Sequence, residues 1–316
     1  MLLSFSLVIA GFVLLIFGAG WLVDGASALA KKFNVSDLAV GLTVVAFGTS
    51  APELVVNCIA SNDGHSSIVL GNIIGSNLFN LFAILGIAGM ITPIVVQHST
   101  IWKEIPISLF ALLLLFVFAN ESFFEGSASI NRIEGIVLLV FFCLFLLYVI
   151  KQPKTDQPTT DSGIKEKSAP IIIALIAAGL AGLIYGGKLV VDNAIVLATA
   201  WGMSQKVIGL TIIAAGTSLP ELVTSVVAAM KKKSDIAMGN VIGSNIFNIF
   251  LVLGMSSLIN PIQYESNFNY DFYLLAIGTL MLFGGMFIGK KNQLDRWQAF
   301  MLFMIFGGYT TMLIMN

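Results

Sequence analysis

Residues 17–94 align with residues 185–262 without a gap, at a constant offset of 168, and about 35 of the 78 positions are identical. A chain whose second half restates its first folds as two related units. Asp24 matches Asp192, and Gly41-Leu42-Thr43 matches Gly209-Leu210-Thr211. Gly48-Thr49-Ser50-Ala51-Pro52-Glu53 matches Gly216-Thr217-Ser218-Leu219-Pro220-Glu221. Gly71-Asn72-Ile73-Ile74-Gly75-Ser76-Asn77-Leu78-Phe79-Asn80 matches Gly239-Asn240-Val241-Ile242-Gly243-Ser244-Asn245-Ile246-Phe247-Asn248.

The medium follows from composition. Of 316 residues, 57% are hydrophobic and 10% charged, against about 25% charged in a soluble domain. So few polar groups cannot cover a soluble surface, which excludes a cytosolic enzyme, a nucleic-acid binder, a disordered chain and a disulfide scaffold. Cys58 and Cys143 both fall in apolar runs and form no metal motif. A spanning helix needs about 20 apolar residues. Ten runs qualify, near 2–23, 38–61, 67–91, 101–119, 133–150, 170–191, 206–230, 235–259, 270–289 and 296–314. The predicted fold is an all-α polytopic membrane protein: a five-helix repeat over 1–150, a cytoplasmic linker at 151–169 and a second five-helix repeat over 170–316. Five is odd, so the second copy enters the membrane from the opposite side, and inverted repeats are a transporter architecture.

Lys and Arg set the orientation. With both termini external, the cytoplasmic loops hold Lys31, Lys32, Lys103, Lys151, Lys154, Lys165, Lys167, Lys231, Lys232, Lys233, Lys290, Lys291 and Arg296. The external loops hold Arg132 and Lys206, and Lys188 lies within a span.

Glu53 and Glu221 fall mid-span, where an ionised carboxylate costs at least about 2.5–3.5 kcal/mol. No span offers a central Lys or Arg as partner, so the natural counter-charge is a bound cation. Thr49, Glu53 and Asn57 are spaced to share a helix face, as are Thr217, Glu221 and Ser225. Asn72, Ser76 and Asn80 share a face of the next helix, as do Asn240, Ser244 and Asn248. Carboxylate, hydroxyl, amide and carbonyl oxygens suit hard cations, and no His or Cys joins them. His65 and His98 read as solvated loop residues. Pro52 and Pro220 free the carbonyls of Gly48 and Gly216, and broken helices at membrane depth line ion sites. Gly71-xxx-Gly75 and Gly239-xxx-Gly243 fit close helix packing. Asp24 and Asp192 read as end caps or gate-edge residues.

At the two GTSxPE and two GNxIGSNxFN segments the chain resembles the sodium/calcium exchanger family of the cation/calcium antiporter superfamily, in its prokaryotic form with a short central loop. The resemblance spans essentially the whole chain. It implies clustered ion sites with Glu53 and Glu221 as central ligands shared by Ca²⁺ and Na⁺. Thr49, Thr217, Ser50 and Ser218 would add hydroxyl or carbonyl oxygens, Ala46 and Ala214 carbonyls, and Ser76 and Ser244 the outer sodium ligands. Asn80 and Asn248 match the paired amide or acid positions. Potassium-dependent members carry Asp at the position of Asn248, so Asn here argues against potassium co-transport. The implied function is Na⁺/Ca²⁺ antiport by alternating access in a cell or inner membrane, by a monomer, with Na⁺ and Ca²⁺ as substrates and no cofactor. The first and sixth helices would slide across the other eight. The runner-up is a divalent cation/H⁺ antiporter, since a buried Glu can take a proton instead. A channel would more often gather its carboxylates by oligomeric symmetry. An intramembrane enzyme would need a nucleophile with its base or an H-E-x-x-H motif, and neither occurs.

Overall fold

Helix α1 runs Leu2–Phe33, and its stop is a left-handed Asn34 (φ 51°). The Ala, Leu and Lys residues after Asp24 are good helix formers, so the helix continues ten residues past the apolar run. The same holds for α7, Ala169–Ala200, in place of the expected 170–191. Asp24 and Asp192 therefore lie inside helices and cap neither. Asp24 instead pairs with Lys231 at 2.7 Å.

In this computed structural model the described residues are 1–120, 129–152, 167–202 and 214–315. Most of the linker, Lys154, Lys165, Lys206, Gly209-Leu210-Thr211 and the first part of the expected 206–230 span lie outside them.

After α1 come α2 (Asp37–Thr49), α3 (Ala51–Asn62), α4 (Ser66–Ile91), α5 (Thr100–Asn120) and α6 (Arg132–Ile150). After α7 come α8 (Ala214–Thr217), α9 (Leu219–Met230), α10 (Ser234–Ile259), α11 (Asn269–Gly285) and α12 (Arg296–Met315). Among the described residues, six helices are long and apolar enough to cross a membrane, or seven when α2 and α3 count as one bent span. Local chemistry sets several starts. Ser36 Oγ accepts from Ala39 N at the head of α2. Asn131 and Glu134 form a reciprocal capping box at α6.

Two short antiparallel strand pairs tie the halves together. β1 (Ile94–Val95) meets β4 (Gln293–Leu294), and β2 (Ser129–Ile130) meets β3 (Ile262–Gln263). Each pairs Ile with a buried apolar partner, Ile94 with Leu294 and Ile130 with Ile262.

α1 and α7 pack antiparallel through glycines. A Cβ on Gly18 would stand 2.9 Å from the Gly179 carbonyl, and one on Gly186 2.8 Å from the Gly11 carbonyl. Only glycine permits backbones this close, which is how helices associate in lipid. Of the six helices of spanning length these two are the least covered, with 22% of each apolar window buried, while α10 at 94% and α4 at 72% form the centre.

Candidate ion-binding site

The site is built where two helices break. α2 and α3 bend by 47° at Ser50 (φ −84°, ψ 5°). Ser218 takes nearly the same backbone (φ −92°, ψ 8°) between α8 and α9. The cause is local: Pro52 and Pro220 sit in the first turn of the following helix, where a missing N–H is tolerated but the preceding turn cannot continue. Each break sets a Ser at the kink and a Glu one turn beyond. Both glutamates are buried, as are Ser50 and Ser218.

The hydrogen bonds cross from one half to the other. Ser50 Oγ donates to Glu221 Oε1 at 2.9 Å, and Ser218 Oγ donates to Glu53 Oε1 at 3.2 Å. Ser50 Oγ lies 3.0 Å from Ser244 Oγ, and Ser218 Oγ 3.2 Å from Ser76 Oγ. Thr49 Oγ1 donates to Asn240 Oδ1 at 3.0 Å, and Thr217 Oγ1 to Asn72 Oδ1 at 3.5 Å. Asn80 Nδ2 donates to Asn245 Oδ1, and Asn248 Nδ2 to Asn77 Oδ1, both at 3.0 Å. Replacing each residue by its match at the offset of 168 turns every one of these contacts into its partner in the pair.

Four buried acceptors here receive no hydrogen bond among the described residues: Glu53 Oε2, Glu221 Oε2, Asn80 Oδ1 and Asn248 Oδ1. A buried oxygen without a donor is costly, and a cation satisfies it as a proton donor would. The amide oxygens are aimed by what holds their nitrogens. Asn77 and Asn245 fix the Nδ2 atoms of Asn248 and Asn80, which leaves the Oδ1 atoms unpaired. Asn80 lies within a π-helical stretch, Phe79–Ile84, and Asn248 opens another, Asn248–Leu253. Such turns recur at functional sites because they re-aim a side chain within a continuous helix.

Of the sequence-derived ligands, Ser50, Glu221, Ser244 and Thr49 fall in one bonded group, Ser218, Glu53, Ser76 and Thr217 in its match, and Asn80 and Asn248 in a third group with Asn77 and Asn245. Ala46 belongs too, since its carbonyl lies 3.4 Å from Thr49 Oγ1. Of Ala214 the helical backbone at the head of α8 is described. Asn77 and Asn245, which bond Asn248 and Asn80, are the residues of this region that the face pattern misses. Their signal was identity in both copies, inside the same motif as Ser76 and Ser244. Among the described residues no group of three or more His, Cys, Asp or Glu is gathered, and the two ion pairs, Lys231–Asp24 and Lys233–Asp37, do not involve either glutamate.

The two ends of the cluster differ. Asn240 Nδ2 donates to the Glu221 carbonyl at 3.2 Å and to Ser225 Oγ at 2.9 Å, while Asn72 Nδ2 has no partner among the described residues. Thr49 and Asn240 are buried, whereas Thr217 and Asn72 are half-buried.

A family model described as "Sodium/calcium exchanger protein" matches residues 3–151 and 171–315. The sodium/calcium exchanger MaX1 of Methanosarcina acetivorans is 33% identical over 98% of this chain and 98% of its own. The inner membrane protein YrbG of Escherichia coli (strain K12) is 39% identical over 83% of this chain and 81% of its own. A solved structure of the sodium-calcium exchanger NCX_Mj, soaked with zero Na⁺ and Ca²⁺, superposes with a TM-score of 0.84 at 33% identity, covering 99% of each chain. With apolar helices of spanning length and these relatives, the protein is a multi-pass membrane protein of the transporter class, and the chain belongs to the sodium/calcium exchanger family.

Proposed function

We propose that this protein exchanges Na⁺ for Ca²⁺ across the membrane by alternating access to one central site, and that Glu53 and Glu221 carry the ions. One observation carries the reading: two buried carboxylates, each with one oxygen held by a serine of the opposite half and the other oxygen without a hydrogen-bond donor among the described residues. Two carboxylates neutralise one Ca²⁺, so a calcium-loaded site is near zero net charge. Sodium taking the same oxygens must displace calcium. Mutually exclusive occupancy, with access switching between sides, is sufficient for antiport.

Ser50, Ser218, Thr49 and Thr217 supply hydroxyl oxygens, Ala46 and Ala214 carbonyls, Ser76 and Ser244 outer sodium ligands, and Asn80 and Asn248 amide oxygens. The architecture is ten spans in two inverted five-helix repeats joined by a cytoplasmic linker, with external termini. The exchange-related hydrogen bonds support the repeat. The glycine contact between α1 and α7, together with their exposed flanks, supports their moving as one body across the ligand-bearing helices.

The test is competition at equilibrium. Purified protein should bind ⁴⁵Ca²⁺, Na⁺ should displace it to completion at constant pH, and Glu53→Gln and Glu221→Gln should each lose binding. Calcium binding insensitive to Na⁺ but displaced as pH falls would transfer the counter-ion role to H⁺.

A further inference from the structure

Asn57 and Asn72 hold two buried polar atoms that the ion ligands leave unused. Asn57 is fully buried, and its Nδ2 donates to the Glu53 carbonyl at 2.7 Å. Its Oδ1 receives nothing, and Asn72 Nδ2 donates to nothing, among the described residues. One is an acceptor without a donor and the other a donor without an acceptor. They sit on α3 and α4, which are joined by the turn at 63–65 and pack against each other. At the offset of 168 their counterparts are Ser225 and Asn240, on α9 and α10, and there the bond is made: Asn240 Nδ2 donates to Ser225 Oγ at 2.9 Å. The same hydrogen bond is closed in one half and open in the other. The neighbouring contact follows suit, at 3.0 Å for Thr49–Asn240 and 3.5 Å for Thr217–Asn72.

We infer that Asn240–Ser225 and Asn72–Asn57 are two polar latches, one on each side of the ion site, that close in alternation as access switches. The structure holds the Asn240 latch closed. In the opposite-facing state Asn72 Nδ2 donates to Asn57 Oδ1, and Asn240 releases Ser225. Serine in one half and asparagine in the other do the same work, because a hydroxyl and an amide oxygen both accept. Two buried groups left unpaired carry a desolvation penalty, and a second conformation that joins them relieves it. The inference rests on the alternating-access reading above. In the proposed orientation the Asn240 latch faces the cytoplasm and the Asn72 latch the exterior. All four are positioning residues, since none of them is assigned as an ion ligand.

The test is Ca²⁺ self-exchange in oriented proteoliposomes, which needs no counter-ion, read as the ratio of the cytoplasmic to the external half-saturating concentration. Removing one hydrogen bond shifts a two-state equilibrium by about 2- to 10-fold. Ser225→Ala should lower the ratio by that factor, and Asn57→Ala should raise it. Asn57→Ser restores an acceptor and should return the wild-type ratio. Shifts in the same direction, an unchanged ratio, or Asn57→Ala weakening both faces equally as loss of an ion ligand would, each overturns the latch. Amide hydrogen exchange gives a readout independent of transport. Ser225→Ala should speed exchange in 231–244 and slow it in 63–76, and Asn57→Ala should do the reverse. If the wild-type protein moves no Ca²⁺, the antiport reading fails, and exchange unchanged in both hairpins then overturns the latch separately.

Discussion

The two ends of the candidate ion site are built on the same motif but are bonded differently. At the α9–α10 end, Asn240 is buried with its amide fully bonded, and a Cβ on Gly243 would stand 2.8 Å from the Ala46 Cβ. At the α3–α4 end, Asn72 is half-buried and its Nδ2 has no partner among the described residues. The sequence motifs there are the same, Asn-x-Ile-Gly-Ser-Asn in both. The partner on the preceding helix is not the same: Asn57 stands where the other half has Ser225, and its amide takes the Glu53 carbonyl at 2.7 Å, whereas Asn240 takes the Glu221 carbonyl. A duplicated site with one end closed and one end looser is what a carrier needs if only one side is to have access at a time.

The comparison can be broken at its centre first. Glu53→Gln and Glu221→Gln should each reduce calcium flux to background. Both variants should stay folded, since a glutamine oxygen still accepts from Ser218 or Ser50. Flux and thermal unfolding in detergent check this pair. If one Glu proves dispensable, the two halves do not share one site.

Next in size is glycine. Gly243→Ala should cost about 1–3 kcal/mol of stability from overpacking against Ala46 and Leu42. Thermal unfolding checks the loss, and an unchanged midpoint would mean that the α9–α10 end is not tightly packed.

Asn77→Ala and Asn245→Ala release the amides of Asn248 and Asn80. Each should weaken calcium binding by about 10-fold, the low end for groups that orient ligands. The matched pair sharpens the comparison, because both halves should respond alike at the centre even though they differ at the ends.

The smallest effect is at the periphery. Asp24 pairs with Lys231 with both side chains more than a third exposed, so Asp24→Asn should cost less than about 1 kcal/mol, and less still in high salt. Asp192, exposed and in no ion pair among the described residues, should respond by less than that.

Much of the centre was legible in the sequence for a physical reason. A carboxylate in an apolar run has so few compatible environments that Glu53 and Glu221 identify themselves, and a proline beside each marks where the helix breaks. The peripheral helices were less legible. Hydropathy stops at the first charges, but helix propensity does not, so α1 and α7 continue past Asp24 and Asp192 to Phe33 and Ala200. Asn77 and Asn245 escaped the face pattern because they sit one position beyond Ser76 and Ser244, and their bonds run to the other half, which a single helix's periodicity does not carry. The difference between the two ends was legible only as Asn57 against Ser225, since a one-residue difference does not say which bonds are made.

The most direct test of the central claim is ⁴⁵Ca²⁺ uptake into proteoliposomes preloaded with Na⁺, against K⁺-loaded vesicles at equal pH on both sides. The account predicts uptake only with internal Na⁺, absent from Glu53→Gln and Glu221→Gln. Equal uptake from K⁺-loaded vesicles, or uptake driven only by a pH gradient, would contradict it.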